Sequence, residues 1–198
     1  MMSLAIGAYF FLIAFFLAHL EIQIEGPHGW AEKLPTWRWD GPGGRRWFEK
    51  PVTGYHVCLV TLILLCVHLP QFYAGSWERE ADLLAMFFLL TVTWDFLWFA
   101  CNRHFGVGRF RKGQIWWFPT WTLGVPRPYL LLIALSLCAG LAPALWTGMW
   151  VDRARHWSMV FSEQLALTVI VTAITLQLRR RVPAAAGEVQ SSATVKPK

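Results

Sequence analysis

The sequence predicts an all-α fold: a polytopic integral membrane helical bundle of about five transmembrane helices, N-terminus outside and C-terminus cytoplasmic. Three observations carry that prediction. Hydrophobic residues make up 56% of the 198-residue chain, charged residues only 15%, and mean hydropathy is +0.40. That is too apolar for a soluble globule, so part of the solvent has to be lipid. Second, the apolar residues gather into stretches close to the roughly 20 that a helix needs to cross a bilayer core, where backbone amides find partners only within the segment. Third, the cationic residues alternate between the intervening segments in a way that sorts them to one side.

The expected spans are residues 2–20, 54–71, 82–101, 129–150 and 157–178. The first has no Lys or Arg ahead of it and a longer apolar run than a signal peptide, so it is read as a retained span. The second carries His56 and His68 near its two ends, and the third carries Asp95 in its interior. The fourth contains Gly140 and Pro143, which predict a kink in its outer half. The fifth includes Glu163 and Gln164, with its continuous apolar run starting at Leu165. A stripe of Gln164, Thr168, Thr172 and Thr175 there predicts helix-on-helix hydrogen bonding, with Glu163 paired to Arg155 or facing solvent.

Five spans place residues 21–53, 102–128 and the tail after Leu178 on one side. Every Lys and Arg except Arg79, Arg153 and Arg155 falls in those three segments. Positive charge is retained on the cytoplasmic side, which gives the predicted orientation and a bacterial inner membrane as the expected location. The net charge of +6 is then explained by anionic head groups, and nucleic acid is not an expected partner. Membrane lipids are the expected partners, with a membrane protein or a second copy of the chain as further options. The transmembrane domain spans residues 1–181, and residues 182–198, rich in Pro, Ala, Ser and Lys, are expected to be a disordered cytoplasmic tail.

Both long loops are aromatic. Gly and Pro break the first into turns, while Trp30, Trp37, Trp39, Trp47 and Phe48 predict an ordered loop. The second, with Trp116, Trp117, Phe118 and Trp121 beside Arg109, Arg111 and Lys112, is expected on or in the inner leaflet. Cys58, Cys66, Cys101 and Cys138 lack CxxC spacing and read as small apolar residues.

Chemistry is sought among ionisable groups at membrane depth, because a charge there needs a partner or water. Thr91, Asp95, Trp98 and Asn102 are spaced to share one face of the third span. Asp95 lies about 10 Å below that helix's cytoplasmic end. His19, His56, Asn102 and His104 are expected at one depth, next to the string His19-Leu20-Glu21-Ile22-Gln23-Ile24-Glu25. If the first helix continues to Glu25, Glu21 and Glu25 are neighbours one turn apart. The candidate catalytic residues are therefore Asp95, His56, Asn102, Glu21 and Glu25, and the candidate metal ligands are His19, His56 and His104. Imidazole with carboxylate suits Zn, Fe or Mn. No HExxH or other standard metal signature is present. Haem is the weaker expectation: His56 and His68 are twelve residues apart, about 18 Å along a helix, which excludes them as ligands of one haem.

The functional expectation is a small integral membrane enzyme acting on a lipid or isoprenoid-like substrate near the cytoplasmic leaflet, with a divalent metal as candidate cofactor. The alternatives are a non-catalytic anchor or assembly subunit of a larger complex, and a haem or quinone electron-transfer subunit.

Overall fold

The computed structural model describes residues 4–41 and 50–181. The expected tail, and Arg45, Arg46, Trp47 and Phe48 of the first loop, lie outside the described residues. Five helices are long and apolar enough to cross a membrane. In chain order the helices are α1 (Leu4–Glu25), α2 (Gly54–His68), a short α3 (Gln71–Ala74), α4 (Trp77–Cys101), α5 (Arg127–Leu141), a short α6 (Ala144–Thr147) and α7 (Trp150–Arg181). Among the described residues there are also two short antiparallel strand pairs, β1 (Arg38–Trp39) with β2 (Val52–Thr53) and β3 (Trp121–Thr122) with β4 (Val125–Pro126).

Local chemistry accounts for the helix ends. Thr53 caps α2 by accepting the His56 amide on its hydroxyl, and Ser76 caps α4 by accepting the amide of Arg79. Gly26 closes α1 in the left-handed region, with φ of 59°, and its amide donates to the Ile22 carbonyl. Proline sets the breaks: Pro70 separates α2 from α3, and Pro143 separates α5 from α6. The expected kink falls at Ala142 and Pro143, whose backbone stays in the right-handed helical region. The fifth span begins earlier than its apolar run, since α7 is one helix from Trp150 to Arg181.

Helix α4 is the centre of the bundle. Of its most apolar stretch 61% is buried, against 33% or less for each other spanning helix. Its neighbours include α1, α2, α5 and α7. The core follows from that position, with Met86, Leu90, Leu97 and Phe99 almost fully buried.

The second long loop packs partly into the bundle. Ile115, Trp117 and Phe118 are buried, and Trp117 stacks on Phe99 of α4 with ring centres 5.9 Å apart. Only part of the aromatic run, such as Trp116, stays exposed. Burying these rings against α4 removes more apolar area from water than an interfacial position does. The loop closes the bundle at the end where α1 and α4 finish.

At the opposite end, Asp82 of α4 and Arg153 of α7 form a buried ion pair, with Nη2–Oδ1 at 2.5 Å and Nη1–Oδ2 at 3.3 Å. Arg153 Nε also donates to the Gly140 carbonyl at 2.8 Å. Gly140 is required there because a Cβ would run into the Trp157 ring. Near the same end, His68 pairs with Glu80 at 3.0 Å, a partner that sequence spacing did not suggest. Glu163 is not paired with Arg155: it stays partly exposed and packs against Gly7 of α1, and the adjacent Gln164 donates to the Gly7 carbonyl at 2.8 Å. Arg155 instead lies 4.0 Å from Asp152.

Candidate functional site

Helix α1 does continue to Glu25, so Glu21 and Glu25 lie one turn apart on the same face. Both are buried, each 7% exposed. The face they occupy meets the first turn of α2, where His56 points its Nε2 at them, 3.5 Å from Glu21 Oε1 and 3.8 Å from Glu25 Oε1. The three ligand-type atoms lie within 4.8 Å of one another. Among the described residues this is the one such group of three or more His, Cys, Asp or Glu side chains.

Three neighbours hold His56 in place. Thr53 Oγ1 lies 2.6 Å from His56 Nδ1, so the capping hydroxyl also fixes the ring and leaves Nε2 as the nitrogen facing the carboxylates. Trp30 stacks on the imidazole, with ring centres 3.9 Å apart and planes 17° from parallel, and its indole N–H donates to the Pro51 carbonyl at 2.7 Å. The β1–β2 pairing joins Arg38 to Thr53 in register and so anchors the start of α2.

The loop that delivers Trp30 is strained. Trp30 and Ala31 adopt φ of 57° and 51°, a left-handed conformation that costs of order 1–3 kcal/mol per non-glycine residue and that the surroundings must enforce. Here they do: the Ala31 amide donates to Glu25 Oε1, and Arg38 donates to the Ala31 carbonyl. Gly29 completes the turn because Trp117 occupies the space a Cβ would need.

Asp95 reaches the same region from α4. Its Oδ2 accepts the Tyr129 hydroxyl from the first turn of α5. Glu21, His56, Asp95 and Tyr129 together line a cavity of about 520 Å³ whose other walls include Val60, Trp94, Leu131 and Leu132. Lys50 enters it from the loop side, its ammonium 3.3 Å from the Trp30 ring centre and 4.4 Å from that of Phe118. A second, much smaller void of about 10 Å³ adjoins Glu21, Glu25, His56, Asp95 and Trp98.

The expected stripe on α4 therefore faces the site: Thr91 and Asp95 line the large cavity and Trp98 the small void. Asn102 serves the backbone. Its Nδ2 donates to the Gly26 carbonyl at 2.8 Å and its Oδ1 accepts the His104 amide at 2.9 Å, tying the end of α1 to the end of α4. Of the expected metal ligands, only His56 belongs to the cluster. His19 turns back on its own helix, with Nδ1 2.9 Å from the Phe15 carbonyl. His104 is exposed and lies 3.3 Å from Arg103 Nε.

Sequence reasoning missed Thr53, Trp30, Lys50 and Tyr129. Thr53 had a readable signal, a capping residue three positions before His56. Loop geometry decides Trp30 and Lys50, and the packing of α5 against α4 decides Tyr129.

Chemically, the arrangement offers two carboxylates and an imidazole held face to face beside a large, mostly apolar cavity, with a third carboxylate positioned by a phenol. Such groups can exchange protons with a bound molecule or share a cation. Comparison of the chain with protein-family models, with curated proteins and with solved structures finds no match.

Proposed function

We propose that this protein is an integral membrane enzyme that carries out proton-transfer chemistry on a lipid or isoprenoid-like substrate, with Glu21, Glu25, His56 and Asp95 as its catalytic residues. One observation carries the reading: Glu21, His56 and Asp95, from three helices, line a cavity large enough for a small-molecule ligand, and Glu25 joins them at the small void beside it. Buried carboxylates are unfavourable in an apolar bundle, and a structure that retains three of them around one space uses them.

The walls favour an amphiphile. Val60, Leu131 and Leu132 suit a hydrocarbon chain, and Leu131 is 56% exposed on the outside of α5, so the apolar wall continues to the lipid-facing surface. The polar part of the substrate would sit against Glu21, His56 and Asp95. There Asp95, oriented by Tyr129, would give or take a proton, and Glu21 and His56 would hold the polar group against it. Asn102 would act as a positioning residue, through the loop that it ties to α4. With the basic loops on the cytoplasmic side, the site lies near the inner leaflet of a bacterial inner membrane.

The test is a comparison of membrane lipids from cells producing the wild type, Glu21→Gln and Asp95→Asn at matched protein levels. A lipid species that rises with the wild type and not with either variant is the expected result. Identical lipid profiles for all three would overturn the assignment.

A further inference from the structure

Glu21, Glu25 and His56 have a geometry that proton transfer alone does not require. The Nε2–Oε1 separations of 3.5 and 3.8 Å approach the spacing of about 3.4 Å expected between ligands roughly 2.1 Å from a tetrahedral metal. A second observation points to the same place. The void beside these side chains has about 10 Å³ of accessible space, room for roughly one water or ion. Trp98, only 3% exposed, lines this void, and its buried indole N–H has no hydrogen-bond partner. An unpaired donor on a residue that lines an acceptor-rich void would be satisfied by a particle there that carries an acceptor, such as a water or hydroxide on a cation.

We infer that Glu21, Glu25 and His56 form a binding site for one divalent first-row transition-metal ion, with its remaining coordination position open toward Asp95 and the large cavity. The tautomer of His56 that donates from Nδ1 to Thr53 Oγ1 presents the Nε2 lone pair to the ion, and Thr53 is then the outer partner that fixes the ligand. Glu25 is oriented in the same way by the Ala31 amide. Two carboxylates with one imidazole and an open position suit Zn²⁺, Mn²⁺ or Fe²⁺. The ligand set is one His and two Glu, in place of the three histidines that depth alone suggested. The inference deepens the enzymatic reading and rests on it for the ion's role, which would be to polarise a substrate oxygen or a bound water.

The experiment uses the full chain purified in detergent, stripped with a chelator and titrated with Co²⁺ as an optical probe, then with Zn²⁺ and Mn²⁺. A single Co²⁺ per chain with visible d–d bands is expected, together with nitrogen coupling in the Mn²⁺ electron-spin spectrum. Glu21→Gln and His56→Ala should each lose it, while His19→Ala and His104→Ala bind as the wild type does. Thr53→Val should weaken affinity about 10–100-fold and Thr53→Ser should retain it. No saturable binding, or binding unchanged in Glu21→Gln and His56→Ala variants that keep the wild-type circular dichroism, overturns the site. A metal bound as described with lipid profiles unaffected by Glu21→Gln would keep the site and remove the enzymatic reading. A lipid product made by a protein that binds no metal would do the reverse.

Discussion

The two ends of the bundle bury charge in opposite ways. At one end Asp82 and Arg153 meet with two hydrogen bonds, and the guanidinium's remaining reach is used on the Gly140 carbonyl. At the other end Glu21, Glu25 and Asp95 converge with His56 around a cavity, where carboxylate faces carboxylate. The first arrangement has opposite charges in contact and fastens α4, α5 and α7 together. The second has an acidic excess and adjoining space, and it is held by strained backbone at Trp30 and Ala31. Burial of charge is common to both; what separates scaffold from site is whether the charges satisfy each other.

Substitutions test that contrast, beginning with the largest effect. Removing one partner of the closed pair, as in Arg153→Ala, should destabilise the folded bundle by about 3–5 kcal/mol because Asp82 is left buried and uncompensated. The measurement is thermal or denaturant unfolding in detergent. Replacing both partners, Asp82→Leu with Arg153→Met, should recover much of that loss.

The open cluster should respond in the opposite sense. Glu21→Gln removes one of the facing carboxylates, so the metal-free protein is expected to unfold at the same temperature as the wild type or higher. A destabilisation as large as that of Arg153→Ala would erase the distinction between the two ends.

Thr53 sharpens the comparison, because it serves both architecture and site. Thr53→Val removes a helix cap and should cost about 1 kcal/mol of stability, while Thr53→Ser keeps both the cap and the His56 contact. Stability and site function should therefore fall together in Thr53→Val and recover together in Thr53→Ser. The smallest effect is expected at His104, which is exposed: His104→Ala should change stability by no more than about 0.5 kcal/mol and leave the lipid profile as in the wild type.

Much of the scaffold is visible in composition. A run of apolar residues long enough to span hydrocarbon has few structural options other than a helix, and each expected span overlaps such a helix. The stripe of Thr91, Asp95, Trp98 and Asn102 was legible too, since helical spacing depends on the segment alone. The site was legible in part. His56 was expected in one layer with His19, Asn102 and His104, next to Glu21 and Glu25 and with Asp95 about 10 Å deeper; the structure brings Glu21, Glu25, His56 and Asp95 to one pair of adjoining spaces. His19 and His104 share that layer's sequence pattern but not its direction: His19 bonds to its own helix and His104 belongs to an exposed turn.

By itself the sequence determined which segments are helices and which residues share a face, because both depend on interactions within a few residues. Only the tertiary structure decided which faces meet. The pairing of Asp82 with Arg153, of Glu21 and Glu25 with His56, and of Asp95 with Tyr129 joins residues on different helices. Each depends on how those helices are rotated against one another and on how the loops carrying Trp30 and Lys50 fold back. Those rotations are set by packing around α4, a property of the whole bundle that no local pattern encodes.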